Sequence, residues 1–396
     1  MSKIKKVINN NFCLGCGLCE SICPSYKMEM HSNGFYYPQI PVDRKKGKEA
    51  IMGRVCPSVN VSAPNGNDLI WGNVKATYLG WANDTNVRKN SSSGGIVASL
   101  AIYMLDSGII DGFIHVKQDE ENLLENKLTV SKTREDVIKA SGSRYAPSLF
   151  LNNIIQLLEK DESKYAFAGK PCDIVAIKNL QSEYPRFKNR IVLFMAIFCG
   201  GVPSLNATKK LLGENDLCQL QSLRYRGDGW PGFFTAKFKK GNDVKKSYNE
   251  SWGNVLGHHV MFRCKICPDT IGLSADLTIG DGWKTKDGYP DFAESDGRSF
   301  VLVRTDVGKE YLQAAFEQQI VKLEELPLNQ IKSMQPSQYK LRFIKFYRLL
   351  PFFIAYPGFL NFKGLNLFKL GIRSDVKTSW REFKGTLKRF NKRNKY

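Results

Sequence analysis

Four cysteines near the start of the chain, Cys13, Cys16, Cys19 and Cys23, follow the spacing C-x2-C-x2-C-x3-C and are closed by Pro24. In a ferredoxin this run places three thiolates around one face of a 4Fe-4S cube and sends the fourth to a second cube. The distant fourth ligand of the first cube must then come from another Cys-Pro pair, and Cys56-Pro57 supplies one. Counting back from Cys56 by the same spacing reaches Met52, Glu49 and Lys46, so the thiolates of a second cube are replaced. One cluster is expected on Cys13, Cys16, Cys19 and Cys56, with Cys23 left as a small buried thiol. Structural zinc is the competing chemistry, because C-x2-C also suits tetrahedral Zn2+. Three cysteines at successive x2 spacing ahead of Cys-Pro favour iron, since zinc prefers paired knuckles.

Three further elements offer four more thiolates. Residues 164–168 read as a short buried strand that runs into Gly169-Lys170-Pro171-Cys172 and a helix. Residues 191–198 read as another, running into Cys199-Gly200-Gly201, and Cys264-x2-Cys267-Pro268 adds a C-x2-C pair. In an open parallel sheet the loops at the carboxyl ends of neighbouring strands share one edge, where ligands bind. Cys172 and Cys199 could meet there and, with the pair, complete a second cubane. Two buried apolar cysteines beside a zinc knuckle are the alternative, and these residues alone leave the two readings level. Cys218, in a Leu- and Gln-rich stretch, is expected to be a plain core thiol.

The 396 residues, 42% of them hydrophobic, can bury a sizeable core in two or three domains. Ten cysteines are too few for a disulfide scaffold, and thiolates spaced for iron need a reducing compartment. The opening Met1-Ser-Lys-Ile-Lys-Lys has neither an apolar run nor a small-residue cleavage site, so no signal peptide is expected and a cytoplasmic location follows. The formal net charge is +20, yet residues 340–396 hold 15 Lys and Arg against 2 Asp and Glu, which is +13 of it. Basicity concentrated in a tail argues against a nucleic-acid-binding body, whose footprint would spread over the folded surface.

The remaining stretches must position this chemistry. Residues 58–73, rich in Ser, Asn, Pro and Gly, read as a linker. A first strand over residues 77–82 leads through a polar loop to Ser91-Ser92-Ser93-Gly94-Gly95, which opens a helix at residues 96–106. Hydroxyls and glycines ahead of a helix expose backbone N–H groups at the positive end of its dipole, a seat for an anion; an ordinary N-cap with a glycine turn competes evenly. Ser141-Gly142-Ser143-Arg144-Tyr145 is a second small-residue loop, suited to a pyrophosphate or a ring. Gly227-Asp-Gly229-Trp-Pro-Gly232 matches G-x-G-x-x-G, but Pro231 and the apolar run after it lead into a strand, so no helix dipole stands behind a dinucleotide. Residues 349–362 carry no charge but are shorter than the roughly 18 residues of a membrane span, and Pro351 and Pro357 interrupt them. Near the end, Ser379-x-x-Glu382 resembles a capping box, and Trp380, Phe383, Leu387 and Phe390 share a helical face opposite Lys384, Lys388, Arg389 and Lys392. That helix suits either an anionic membrane surface or docking on the body with its basic face in water.

Taken in order, Cys13 to Pro57, Ser91-Ser-Ser-Gly-Gly95, Ser141-Gly-Ser-Arg-Tyr145, Gly169-Lys-Pro-Cys172, Cys199-Gly-Gly-Val-Pro-Ser204, Cys264-x2-Cys267 and Gly280-Asp-x-Trp283 resemble the beta subunit family of coenzyme F420 (deazaflavin) hydrogenase and dehydrogenase, in its bacterial branch with an N-terminal ferredoxin module. The resemblance covers about residues 10–320. It implies an α+β or α/β fold: a small ferredoxin-like iron-sulfur module (residues 1–62), a larger mixed α/β flavin-binding domain in two parts (75–160 and 161–330), and a basic helical tail (331–396). It also implies FAD contacts at Ser92, Ser93, Gly94, Gly95, Ser143, Arg144, Tyr145 and Lys170, and a second 4Fe-4S cluster on Cys172, Cys199, Cys264 and Cys267. Two departures stand out: the family's module usually holds two clusters, and the tail after Gln330 aligns with nothing in it.

The expected function is an FAD- and iron-sulfur-dependent oxidoreductase passing electrons between a ferredoxin-like one-electron carrier and a two-electron small-molecule or deazaflavin-type substrate. A flavin is needed where single and paired electrons meet, and no catalytic side chain is nominated because the cofactors carry the chemistry. The alternative is a non-catalytic electron-transfer or docking subunit tethered through its tail. Expected partners are a ferredoxin or redox partner protein, a small-molecule substrate and, through residues 349–396, a peripheral membrane surface, with no nucleic acid.

Overall fold

The long apolar runs of the chain become the strands of one eight-stranded mixed sheet. The computed structural model describes residues 2–227 and 229–392, with the side chains of Asn391 and Lys392 outside that description. In chain order the strands are β1 (Ala76–Ala82), β2 (Gly112–Gln118), β3 (Asn126–Ser131), β4 (Tyr165–Gly169), β5 (Ile191–Ile197), β6 (Leu277–Asp281), β7 (Ser299–Val303) and β8 (Val321–Glu325). They lie in the order β8-β1-β7-β6-β5-β4-β2-β3. The middle four, β6, β5, β4 and β2, are parallel, and the flanking pairs are antiparallel. Strands covered on both faces read as unbroken apolar runs, and every residue of β4 and β7 is buried.

One face of the sheet packs Ile96–Asp106 and Asp306–Glu317; the other packs Pro171–Glu183 and, beyond it, the N-terminal module. That module combines Leu18–Ile22, an antiparallel hairpin of Met28–Met30 with Tyr36–Pro38, and Lys46–Val55. Its second cluster position is closed rather than vacant. Met52 is in the core, and the buried Glu49 carboxylate accepts bonds from the Tyr26 hydroxyl and, at 2.6 Å each, from Arg44 Nε and Nη2. Cys23 is buried with its sulfur 3.1 Å from Ser25 Oγ, whereas Cys218, expected in the core, is exposed within a single 3-10 turn.

The stretch expected as a linker is packed instead. Val59, Val61 and Trp71 are buried, and Asn60–Ser62 forms a parallel pair with Asn361–Lys363. The second expected interruption also differs. Pro336–Ala355 is a single helix that runs through Pro351. A proline inside a helix costs about 3 kcal/mol, offset here by the burial of Leu349 and Phe352 on either side. Leu220–Arg224 and Phe234–Phe238 pair as antiparallel strands, as the run after Pro231 predicts; Asp228 between them lies outside the described residues. Among the described residues no helix is long and apolar enough to cross a membrane.

Candidate functional site

Tight turns bring the first three cysteines together. Gly15 (φ +65°) and Gly17 (φ +85°) hold left-handed backbone on either side of Cys16, and a Cβ at Gly17 would meet the backbone nitrogen of Asn152 at 3.0 Å. Cys19 follows in the first turn of Leu18–Ile22, and Cys56 caps the far end of Lys46–Val55. The four cysteines border one apolar cavity with Leu18 and Ile22. Burial pushes the thiol of Cys13 up to about 12 and that of Cys19 well above its ordinary value; Cys56 raises Cys13 further, and Cys13, Cys16 and Cys56 raise Cys19. Buried thiols so disfavoured as free anions suit a bound cationic centre, which deprotonates its ligands outright.

Four further cysteines come within one another's electrostatic reach near the carboxyl edge of the sheet. β4 and β5 are parallel neighbours, and Cys172 and Cys199 follow their carboxyl ends. Phe262–Lys265 carries Cys264, and Cys267 follows in the next turn. Backbone N–H groups of Gly201 and Val202 point at Cys199 Sγ (3.4 Å) and Cys264 Sγ (3.5 Å). Burial raises Cys199 to about 12, helped by Cys264 and Cys267, and raises Cys264 to about 11, helped by Cys267; Cys172 is raised by burial, Asp173, Cys199 and Cys267. Each of these four thiols thus senses at least two others of the group. Among the described residues no three His, Cys, Asp or Glu side chains converge on one point as a single ion would require.

The two sets are neighbours. Leu14, Phe35, Tyr37 and Met261 form one small core against which Cys13, Cys172 and Cys264 all pack. The Tyr37 hydroxyl, raised by burial, feels both Cys13 and Cys264. Arg263, next to Cys264, donates to the carbonyl of Ser58 at 3.0 and 2.8 Å, two residues past Cys56, and the Leu151 N–H donates to Cys16 O at 2.8 Å. Nothing in the cysteine spacing marks Tyr37 or Met261; the aromatic run at residues 35–37 is the one sequence signal.

The two serine-glycine loops also adjoin. The Ser143 N–H donates to Ser92 Oγ at 2.5 Å, while Ser93 Oγ and the Gly94 N–H bond to Ser299 Oγ at 3.0 Å each, and Gly95 (φ +84°) turns the chain into the helix. Tyr145 lies 4.7 Å, ring to ring, from Trp252, whose indole is so close to Gly200 that a Cβ there would meet it at 2.5 Å. Trp252 and Tyr145 therefore bridge the Cys199 loop and the serine loops. Two other expected contacts turn elsewhere. The Arg144 guanidinium is engaged by Asn126 Oδ1 (2.6 Å) and the carbonyls of Leu223 and Leu123 (3.2 Å each). Lys170 Nζ pairs with Asp173 at 2.7 Å and stands in the field of Cys172 and Cys199. Sequence reasoning also passed over Arg226, just ahead of the glycine run set aside above. It is buried and paired with Asp281 (2.9 Å), and the Trp230 indole, which donates to Asp281, is stacked on Trp283 at 4.5 Å.

A ferredoxin-type module joined to a mixed α/β sheet, with a second thiol set at the sheet's ligand edge, defines an iron-sulfur redox protein with an attached α/β domain. Residues 6–26 match the 4Fe-4S binding domain. Residues 77–154 match the N-terminal part, and residues 162–328 the C-terminal part, of the coenzyme F420 hydrogenase/dehydrogenase beta subunit, and the chain belongs to that family. Over 254 residues, 62% of this chain and 83% of the other, it is 27% identical to the coenzyme F420 hydrogenase beta subunit of Methanococcus voltae. An uncharacterised protein of Methanocaldococcus jannaschii is 25% identical over 343 residues (78% and 88%). The coenzyme F420-dependent sulfite reductase of the same organism is 22% identical over 347 residues, 83% of this chain but only 50% of that longer one. A chain in the structure of the F420-reducing NiFe hydrogenase complex from Methanosarcina barkeri shares the fold, with a TM-score of 0.53 at 21% identity over 69% of this chain and 91% of that one. The chain is thus a redox protein of a family of F420-dependent hydrogenase and dehydrogenase subunits, with a 4Fe-4S domain.

Proposed function

We propose that this chain is an oxidoreductase subunit linking a ferredoxin-like one-electron carrier or partner subunit to a two-electron substrate of deazaflavin or other small-molecule type. Cys13, Cys16, Cys19 and Cys56 hold one 4Fe-4S cluster; Cys172, Cys199, Cys264 and Cys267 hold a second. FAD lies against Ser92, Ser93, Gly94, Gly95, Ser143 and Tyr145. When bound, the clusters supply one-electron chemistry and the flavin converts between single and paired electrons.

The chain's own residues set the conditions. Leu14, Tyr37 and Met261 keep water from the space between the thiol sets. Gly200 lets Trp252 approach the Cys199 loop, and Trp252 holds Tyr145 toward the serine loops. Lys170, anchored by Asp173, adds positive charge beside Cys172 and Cys199, and so favours a more negative state of whatever those thiolates bind. All ten cysteines are free, in keeping with a reducing, cytoplasmic setting. The observation that carries the proposal is the single apolar cluster touching Cys13, Cys172 and Cys264.

Anaerobic purification followed by iron, acid-labile sulfide and flavin analysis tests it. About eight irons per chain with bound FAD is the expected result, and Cys264→Ser should retain about four, since each cubane holds four. Stoichiometric zinc without flavin overturns it. A second reading, an electron-transfer subunit without flavin, is favoured by the engagement of Arg144 and Lys170 away from the serine loops. It predicts the same iron and no flavin.

A further inference from the structure

The helix Val376–Lys392 does not dock by its Trp380, Phe383 and Leu387 row. It turns Ser379 and Thr386 inward, ties Glu382 to Arg348 at 2.7 Å, and sets Phe390 against Phe352 with ring centroids 5.0 Å apart. Val376 (85% exposed), Trp380 (56%) and Leu387 (36%) stay outside, with the half-buried Phe383 stacked on Trp380 at 5.7 Å. Spaced four, three and four residues apart, these side chains form one stripe along the helix. Beside it lie the exposed Lys377, Arg381, Lys384 and Lys388, the Lys384 ammonium 4.8 Å above the Trp380 ring. Six of the twelve exposed large apolar side chains among the described residues fall between Ile354 and Leu387, so this apolar exposure is concentrated in one region.

Charge decides what covers the stripe. Of the two acids in residues 340–396, Glu382 faces inward on Arg348 and Asp375 accepts the Thr378 N–H at 2.7 Å at the start of the helix. The outward face is therefore apolar and cationic, with no acid along it. A Trp, Phe and Leu row flanked by Lys and Arg is the pattern of a helix lying in the plane of a bilayer, its rings at the headgroup boundary and its cations on lipid phosphates.

We infer that Val376–Lys392 binds an anionic lipid surface, with Val376, Trp380 and Leu387 inserted at the headgroup boundary and Lys377, Arg381, Lys384 and Lys388 against the phosphates. The contact holds the redox body at a membrane without crossing it. Nothing in this placement depends on which cofactors the body carries.

Flotation of the full chain with phosphatidylcholine vesicles, with and without phosphatidylglycerol, tests the inference. Binding is expected to the anionic vesicles only and to weaken as salt rises. The Lys377→Gln/Lys384→Gln/Lys388→Gln variant should lose about a hundredfold in partitioning, at about fivefold per surface cation. Trp380→Ala/Leu387→Ala should lose at least about tenfold. All five substitutions are at exposed positions, and an unchanged melting temperature and iron content show that the fold is intact. Absence of binding to anionic vesicles, equal binding to neutral ones, or an apolar double variant that binds as the parent does each overturn the inference. So does gel filtration showing a dimer that Trp380→Ala/Leu387→Ala dissolves, because the stripe would then face a second copy.

Discussion

Glu49 occupies a position where a ferredoxin with two clusters would carry a thiolate, and its surroundings show what replaced the metal. The carboxylate is held by Arg44 and Tyr26, and Arg44's hydrogen bonds outweigh burial to pull it down to about 2. Unfolded, it would titrate near 4.5. A carboxylate lowered on folding contributes its stabilisation fully above its unfolded value and loses it as pH falls toward the folded one. The window is therefore between about pH 4.5 and about pH 2. Glu49→Gln should cost about 2 kcal/mol near neutrality, the worth of charge-assisted bonds to a buried group. The gap between parent and variant in urea unfolding should narrow as pH is lowered through that window. A gap independent of pH would mean that the site is held by packing alone. This ion pair was hidden in the sequence, because a broken cysteine spacing says what is absent and not which charges fill the space.

At the scale of elements, the parts that carry the thiols were legible and the parts that brace them were not. Residues 164–168 and 191–198 announce buried strands by unbroken apolar runs, and β4 and β5 follow within a residue. Their adjacency places Cys172 near Cys199 because parallel neighbours share a ligand edge. The 58–73 stretch misled because its strand is three residues long and pairs with residues about 300 positions away, a contact that no local pattern encodes. The last helix was legible only in part: its apolar row suits either a lipid surface or docking on the body, and the residues that meet the body are Ser379, Glu382 and Thr386, with Phe390 alone of that row. Lys345 was equally silent. It lies on Pro336–Ala355, is buried, and stands in the field of Cys267 and Cys264 together with Arg348 and Arg263. A cation there favours added negative charge at the second thiol set. Lys345→Met should therefore lower the reduction potential of the cluster proposed there, by about 60 mV for a one-electron couple if about 1.4 kcal/mol of charge stabilisation is lost. An EPR-monitored redox titration reads the shift directly, and an unchanged potential would make Lys345 a packing residue only.

For the whole molecule, the consequence is that residues 336–371 act as a clamp across the iron-sulfur body. Phe352 is buried with its ring 5.0 Å from Phe12, the neighbour of Cys13, and 6.1 Å from Phe262, two residues before Cys264. Arg342 donates to the carbonyls of Ile70 (2.8 Å) and Leu365 (3.0 Å), and Asn361–Lys363 completes the strand pair that begins four residues after Cys56. One helix thus fixes segments leading to both thiol sets, although the family match stops at residue 328. Truncation after Gln330 should then release iron from both proposed clusters and lower the melting temperature sharply, whereas truncation after Ser374 removes only the helix proposed to face lipid and should keep the iron. Phe352→Ala is the graded version. Deleting a buried phenylalanine costs about 3–5 kcal/mol, and because this ring touches the approach to each set, iron should be lost from both together as the protein is warmed. Loss from one set alone, followed by absorbance and by iron analysis after desalting, would show that the two halves are braced separately and that the clamp serves only one of them.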